Sequence, residues 1–399
     1  MLRMISPAGS PMTMKMLIEC AARSSDAPAV QLQGRLHHYL DVQNVFFVGS
    51  GRTSLKIVFD VVAQNPSKNE VLIPAYTCFS VPSAVVRAGL RVRLCDINPD
   101  TLDFDIAALE RAAYGKVLSV IPSNLFGLVS DLPEVNRIAK RFGVYVIDDA
   151  AQSLGASLFG AKSGTMGDVG IFSLGRGKNI TSYTGGVIVT NSDGIALELS
   201  RNPLIQNKNV RRWLGPSSIL GLIGYSVFLK PRLYWILNYL PFFQLGASKF
   251  DPEFKMEAFS KFQCALATFM LERLDEFNEQ RRQNAWHLRE RLKDIPHIAL
   301  PRPLNGSYPV YLRFPILVTH QAMREEIYQE LLREGIGVSK MYPTPIHRIR
   351  GIDPYVVNRH EQFSGADLVA SSILTLPTHP IVTGRDLDLM VEVIKRCAR

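Results

Sequence analysis

Two groups in this 399-residue chain stand out for what they could do chemically. One is Lys178, the lysine of a turn rich in glycine and hydroxyls, FSLGRGKNITSYTGG (172–186). The apolar run VGIF (169–172) enters that turn and VIVT (187–190) leaves it. The other is a pair of carboxylates, Asp148 and Asp149, closing the upstream apolar run VYVI (144–147). An amine and a carboxylate on neighbouring strand ends suit pyridoxal phosphate. The amine condenses with the cofactor aldehyde, and the carboxylate keeps the pyridine nitrogen protonated so that the ring accepts electrons. The GRGK tetrapeptide lacks the G-x-x-x-x-G-K-[ST] spacing of a nucleotide loop, which excludes that reading.

The elements that must position these groups are legible as well. VFFV (45–48) reads as a strand, and Leu55, Val58, Phe59 and Val62 recur at helical spacing behind it. Between them SGRT (50–53) offers backbone N–H groups, two hydroxyls and the Arg52 guanidinium to a phosphate. Further apolar runs alternate with helical patterns, one of which starts at Asp131 with Glu134 three residues on, a helix-start signature. Continuous apolar strands alternating with helices predict an α/β fold with a parallel sheet covered on both faces. Ligands of such sheets bind beyond the carboxyl ends of the strands. Asp149, Lys178, the Ser50–Arg52 turn and Asn124, which follows VLSVIPS, all fall on that rim.

An apolar content of 47% fits a globular chain with a sizeable core. A net charge of +9 favours an anionic partner, either a nucleotide-linked substrate or a membrane surface. There is neither a Lys/Arg run nor aromatic–basic interleaving, so nucleic acid is not expected. Five scattered cysteines without a C-x-x-C pair argue for a reducing compartment and against a disulfide framework or a zinc site. The Met-rich start lacks the apolar core of a signal peptide, and a cytoplasmic protein is expected. The chain divides into an N-terminal arm (1–29), a large cofactor domain (30–257) with an apolar insertion at about 211–250, and a linking helix with a small α+β domain (258–399). In the insertion, SSILGLIGYSVFL and LYWILNYLPFF are split by Lys230, Pro231 and Arg232, and each is too short to span a bilayer. The insertion reads either as a buried excursion or subunit interface, or as an interfacial segment whose Arg211, Arg212, Lys230 and Arg232 meet anionic headgroups. One continuous helix is expected from Phe262 towards Trp286, and YPVYLRFPILV (308–318) reads as a strand.

The ordered motifs SGRTSL, EVLIPAYTC, DINPDTLDFD, VIDDAAQSLGA, FSLGRGKN, GIGVSKMYPTPIH and LPTHP resemble the DegT/DnrJ/StrS family of pyridoxal phosphate-dependent sugar aminotransferases, with the aspartate aminotransferase fold (fold type I). The resemblance runs from about Val45 to the end. It implies that Lys178 carries the cofactor, that Asp149 pairs with the pyridine nitrogen and that Gln152 lies near the ring's O3 edge. Ser173 and Ser50–Gly51 would hold the phosphate, and Asn124 stands where many members have histidine. His347 and Tyr342, in the small-domain loop, would approach substrate. Arg52 replaces a usual threonine, and Cys78 replaces a ring-stacking aromatic, leaving Tyr76, Phe79 or Cys78 itself to cover the ring. The resemblance implies a homodimer that moves an amino group from an amino acid, L-glutamate first, to a nucleotide-linked keto-sugar in cell-surface polysaccharide or antibiotic-sugar biosynthesis. The alternatives are a sugar dehydratase, whose lysine is usually histidine, and a membrane-associated, non-catalytic assembly or regulatory protein. On the interfacial reading the insertion, at 217–243, would dock the enzyme peripherally at the inner membrane face.

Overall fold

Seven short apolar runs pair into one sheet in the computed structural model, which describes residues 3–22, 27–206, 214–238 and 249–398. In chain order these strands are β1 (Asn44–Val48), β2 (Glu70–Pro74), β3 (Arg91–Cys95), β4 (Val117–Val120), β5 (Tyr145–Asp149), β6 (Val169–Ser173) and β7 (Gly186–Thr190). Their order across the sheet is β1-β7-β6-β5-β4-β2-β3. Only β7 runs against its neighbours, pairing Val187 with both Phe47 and Phe172. Every residue of β2, β4 and β7 is buried, the pattern of strands covered on both faces.

Helices α1 (Met14–Ala22) and α2 (Pro28–Leu40) precede the sheet. The crossovers between its strands include the helices α3 (Gly51–Val62), α4 (Ser80–Arg87) and α5 (Leu132–Phe142). Asp131 caps α5 as its sequence predicts, accepting from the Glu134 N–H at 3.2 Å, and Gly143 ends it in the left-handed region. A smaller antiparallel sheet orders β8 (Ile298–Ala299), β9 (Phe314–Val318) and β10 (Ile373–Leu376); α10 (Gln321–Arg333) packs on it and α11 (Gly384–Cys397) packs on α10. One hydrophobic cluster runs through both sheets, from Val48 and Ile147 to Phe314 and Leu376.

Two elements differ from the sequence expectation. The continuous helix is two: α8 (Lys261–Leu271), which packs on α1 and α2, and α9 (Leu274–Leu292), which packs on α11. The chain breaks between them because the two apolar faces have different partners. In 308–318 only Phe314–Val318 joins the small sheet; Tyr311 turns into the left-handed region and the stretch before β9 lies against residues 126–127. The apolar insertion forms α6 (Pro216–Phe228) and α7 (Pro231–Asn238), with Pro231 opening α7, where a missing N–H costs nothing. Among the described residues no helix is long and apolar enough to cross a membrane. One face of α6 turns inward: Leu222 and Tyr225 are buried, and the Tyr225 hydroxyl accepts from the Ser10 N–H of the arm. Leu220 and Ile223 on the same helix are exposed. Arg211, Arg212 and residues 239–243 lie outside the described residues.

Candidate active site

Side chains alternate across a strand, and β5 uses that alternation to divide its two aspartates. Asp148 is fully buried and spends both oxygens on structure, accepting from Asn124 Nδ2 at 2.8 Å and from the Gly164 N–H at 2.7 Å. Burial pushes its carboxyl up to about 6. Asp149 is turned towards Lys178. Its Oδ1 accepts from the Ala151 N–H at 3.0 Å, and among the described residues nothing donates to Oδ2. Burial raises this carboxyl too, with the Ala151 N–H and the Lys178 amine pulling it back.

The neighbouring rim is an anion cradle. Ser50 caps α3, accepting from the Thr53 N–H at 3.2 Å, and the first N–H groups of the helix are left without intrahelical partners. Because β7 runs backwards, its first residue, Gly186, arrives at the same rim. A Cβ on Gly186 would lie 2.4 Å from the carbonyl oxygen of Ser50 and from Ser54 Oγ, and one on Gly51 would lie 3.3 Å from the Cβ of Ser173. The cradle is therefore as narrow as backbone allows. Gly186→Ala is expected to cost roughly 1–3 kcal/mol of stability, because backbone rather than a flexible side chain must yield. Chemical denaturation would show the loss, and a variant as stable as wild type would mean the approach is looser than these distances.

Lys178 is held from behind. Ser10 Oγ lies 2.7 Å from the carbonyl oxygens of both Lys178 and Asn179. The fully buried Arg281 donates to Asn179 O, Ser10 Oγ and Asn278 Oδ1, tying the N-terminal arm, the lysine turn and α9 together. The Lys178 side chain itself is half-buried and faces a cavity of about 260 Å³. Burial lowers its amine below the usual lysine range; Cys78 and Asp149 oppose the fall and Arg313 adds to it.

Ser50, Cys78, Gln152, Ser173, Lys178 and Tyr342 line this cavity together. Gln152 Nε2 donates to the Tyr342 hydroxyl at 3.3 Å while Gln152 Oε1 accepts from the Phe126 N–H at 3.2 Å, which fixes the amide in one orientation. Other expected residues lie elsewhere. Tyr76 and Phe79 stand behind Tyr342: Tyr76 bonds its backbone, and Phe79 packs on its ring at 5.6 Å, so of the three candidates for covering the ring Cys78 alone lines the cavity. The Arg52 guanidinium is drawn away from the rim, 4.9 Å from the Phe254 ring centroid and 3.5 Å from Asp251. Asn124 is spent on Asp148, the Asp149 carbonyl and the Ser130 N–H. His347 Nε2 lies 3.2 Å from Asp367 Oδ1 and its ring packs on Phe363, away from the cavity lining.

Residues that sequence reasoning passed over also line the cavity: Ser80, Arg176, Tyr183 and Arg313. Arg176 stacks over Tyr183 at 5.0 Å, and Gly221 of α6 packs so close to Tyr183 that a Cβ there would meet its hydroxyl at 2.0 Å. The apolar insertion therefore buttresses the lysine turn. The one signal for Arg313 was a cation inside an otherwise apolar run.

A mostly parallel sheet with an amine, a buried carboxylate and an anion cradle on one rim is the architecture of fold type I aminotransferases. The chain matches the DegT/DnrJ/EryC1/StrS aminotransferase family over residues 24–395 and belongs to it. It is 25% identical over 375 residues to the GDP-perosamine synthase of Caulobacter vibrioides, covering 92% of this chain and 88% of that one. It is 27% identical over 370 residues to a protein of Geobacillus stearothermophilus named as a pleiotropic regulatory protein, covering 91% and 87%. A solved DegT/DnrJ/EryC1/StrS aminotransferase from Brucella abortus has the same fold, with a TM-score of 0.76 at 22% identity over 96% of this chain and 94% of that one.

Proposed function

We propose that this chain is a pyridoxal phosphate-dependent aminotransferase moving an amino group from an amino acid, L-glutamate first, to a nucleotide-linked keto-sugar. The observation that carries the reading is a buried carboxylate with one free oxygen beside an amine whose basicity burial has lowered. The residues present fit the cofactor. Asp149 Oδ2 is an acceptor awaiting a protonated ring nitrogen, the start of α3 with Ser50 and Ser173 is a glycine-lined phosphate cradle, and Lys178 offers its amine to the aldehyde.

When bound, the cofactor supplies an electron sink for the carbon that carries the amino group. Lys178 Nζ is the residue that would hold the cofactor and then take up the proton of that carbon; its lowered basicity keeps a fraction of the amine free to do so. Asp149 would keep the ring nitrogen charged, and Gln152, fixed by Phe126 and Tyr342, would orient the ring's edge. Arg176 at the glycine turn and the net charge of +9 suit an anionic, nucleotide-linked acceptor.

The test is an absorbance spectrum of the purified holoenzyme with and without L-glutamate. Loss of the visible band with release of 2-oxoglutarate, and its return on adding a keto-sugar nucleotide, is the expected result. A holoenzyme indifferent to every amino donor would overturn the reading, and elimination of a sugar hydroxyl in place of amination would favour the dehydratase.

A further inference from the structure

Helix α6 is apolar on two sides, and only one of them is spent inside the protein. Leu222 and Tyr225 are buried, and Gly221 abuts Tyr183. On the other side Leu220, Ile223 and Val227 recur at i, i+3 and i+7, and Leu220 is 72% exposed. Helix α1 extends this surface. Ser226 Oγ of α6 donates to Met14 Sδ at 3.0 Å, and both Met14 and Ile18, one turn further on, are exposed. A helix that is apolar all round belongs in apolar surroundings, and contiguous exposed apolar surface marks a place of contact.

The charge of α6 and its flanks has one sign. From 199 to 250 the chain holds seven Lys or Arg and no Asp or Glu, so this stretch supplies seven of the net +9. Lys230, seven residues after Ile223, continues the outer side of α6. It and Arg232 are exposed, and among the described residues neither forms an ion pair. On α1, Lys15 and Glu19 offset each other. A twofold dimer through this face would set its own cations against one another. A bilayer with anionic lipids offers apolar depth and negative charge together. At 13 residues α6 is too short to cross such a bilayer, and its place is along the surface.

We infer that the outer side of α6, with Met14 and Ile18 of α1 and the cations Lys230 and Arg232, docks this protein on a bilayer that carries anionic lipids. Leu220 and Ile223 enter the boundary between headgroups and acyl chains, while the lysine and arginine reach the lipid phosphates with their charged ends. The inner side of the same helix supports the Lys178 cavity. Gly221 packs on Tyr183, which lines that cavity, and the Tyr225 hydroxyl accepts from Ser10, whose own hydroxyl holds the Lys178 carbonyl. Docking therefore sets the cavity on the order of 10 Å, the diameter of one helix, from the lipid. Docking needs no turnover, so it stands or falls apart from the aminotransferase reading.

The experiment sediments the wild-type protein with vesicles of phosphatidylcholine alone and of phosphatidylcholine with about one quarter phosphatidylglycerol. The protein should pellet with the anionic vesicles, far less with the neutral ones, and be released as salt rises. The double variants Leu220→Asp/Ile223→Asp and Lys230→Glu/Arg232→Glu should each lower the affinity for anionic vesicles about tenfold or more. All four side chains are exposed, so melting temperature and mass in solution should match wild type. A wild type that ignores anionic vesicles would overturn the proposal, and so would wild-type affinity in both variants. Equal binding to neutral and anionic vesicles would overturn the choice of an anionic surface. A lower mass in solution for Leu220→Asp/Ile223→Asp would make this face a subunit interface and overturn the proposal in favour of a second copy.

Discussion

Lys178→Ala is expected to lower turnover by about 10⁴-fold or more, because one side chain is asked to perform two tasks. In the proposed function its amine would anchor the cofactor and then carry the proton at the reacting carbon. Among the described residues no second amine lines the cavity: the other cations there are the guanidiniums of Arg176 and Arg313, which stay protonated and cannot act as bases. The turn should survive the change, since it is held through backbone carbonyls by Ser10 and Arg281 and not through the lysine side chain. Removing a desolvated amine should leave the melting temperature at or above the wild-type value. The space vacated lies in a cavity of about 260 Å³, so a small external amine such as methylamine should restore part of the rate in a concentration-dependent way. A variant that folds, binds the cofactor and retains wild-type turnover would remove Lys178 from the chemistry and with it the central claim about this site.

Much of this arrangement was legible because its parts are local in sequence. A strand, a glycine turn and a helix in succession are enough to locate the Ser50–Gly51 cradle, and period-2 alternation explains why only one of two adjacent aspartates can face the ligand. Contacts between distant segments were not legible. Arg52 looks like a phosphate ligand in its tetrapeptide, yet Phe254 and Asp251, some two hundred residues on, draw it off the rim. Asn124 and His347 were likewise placed by motif position, and each is taken up by a partner that no local pattern announces, Asp148 in one case and Asp367 in the other. Arg313 was missed for the same reason: its place on the cavity wall depends on backbone contacts of its stretch with the distant turn at Phe126 and Gly127. The break in the α8–α9 helix belongs with these, since it depends on which distant helices each half packs against.

Asp149→Asn is expected to lower turnover by about 10²- to 10³-fold, the cost of breaking one buried charge pair. The amide keeps the shape and an acceptor for the Ala151 N–H, so folding should be little affected. What it lacks is the negative charge that keeps a ring nitrogen protonated. The pH profile separates this electrostatic role from a structural one. In the proposed function Lys178 works as a base, so activity should rise with pH through the lysine's pKa, and burial has already moved that pKa down. Asp149 opposes the fall as a nearby negative charge, and Arg313 adds to it as a nearby positive one. Removing the carboxylate should therefore lower the lysine's pKa further and move the rising limb to lower pH. Arg313→Met should move the same limb to higher pH. Opposite displacements in the two variants, read by spectrophotometric titration of each holoenzyme, are what a charge-tuned lysine requires. Displacement in the same direction, or none in either, would mean that Asp149 and Arg313 do not set the basicity of Lys178.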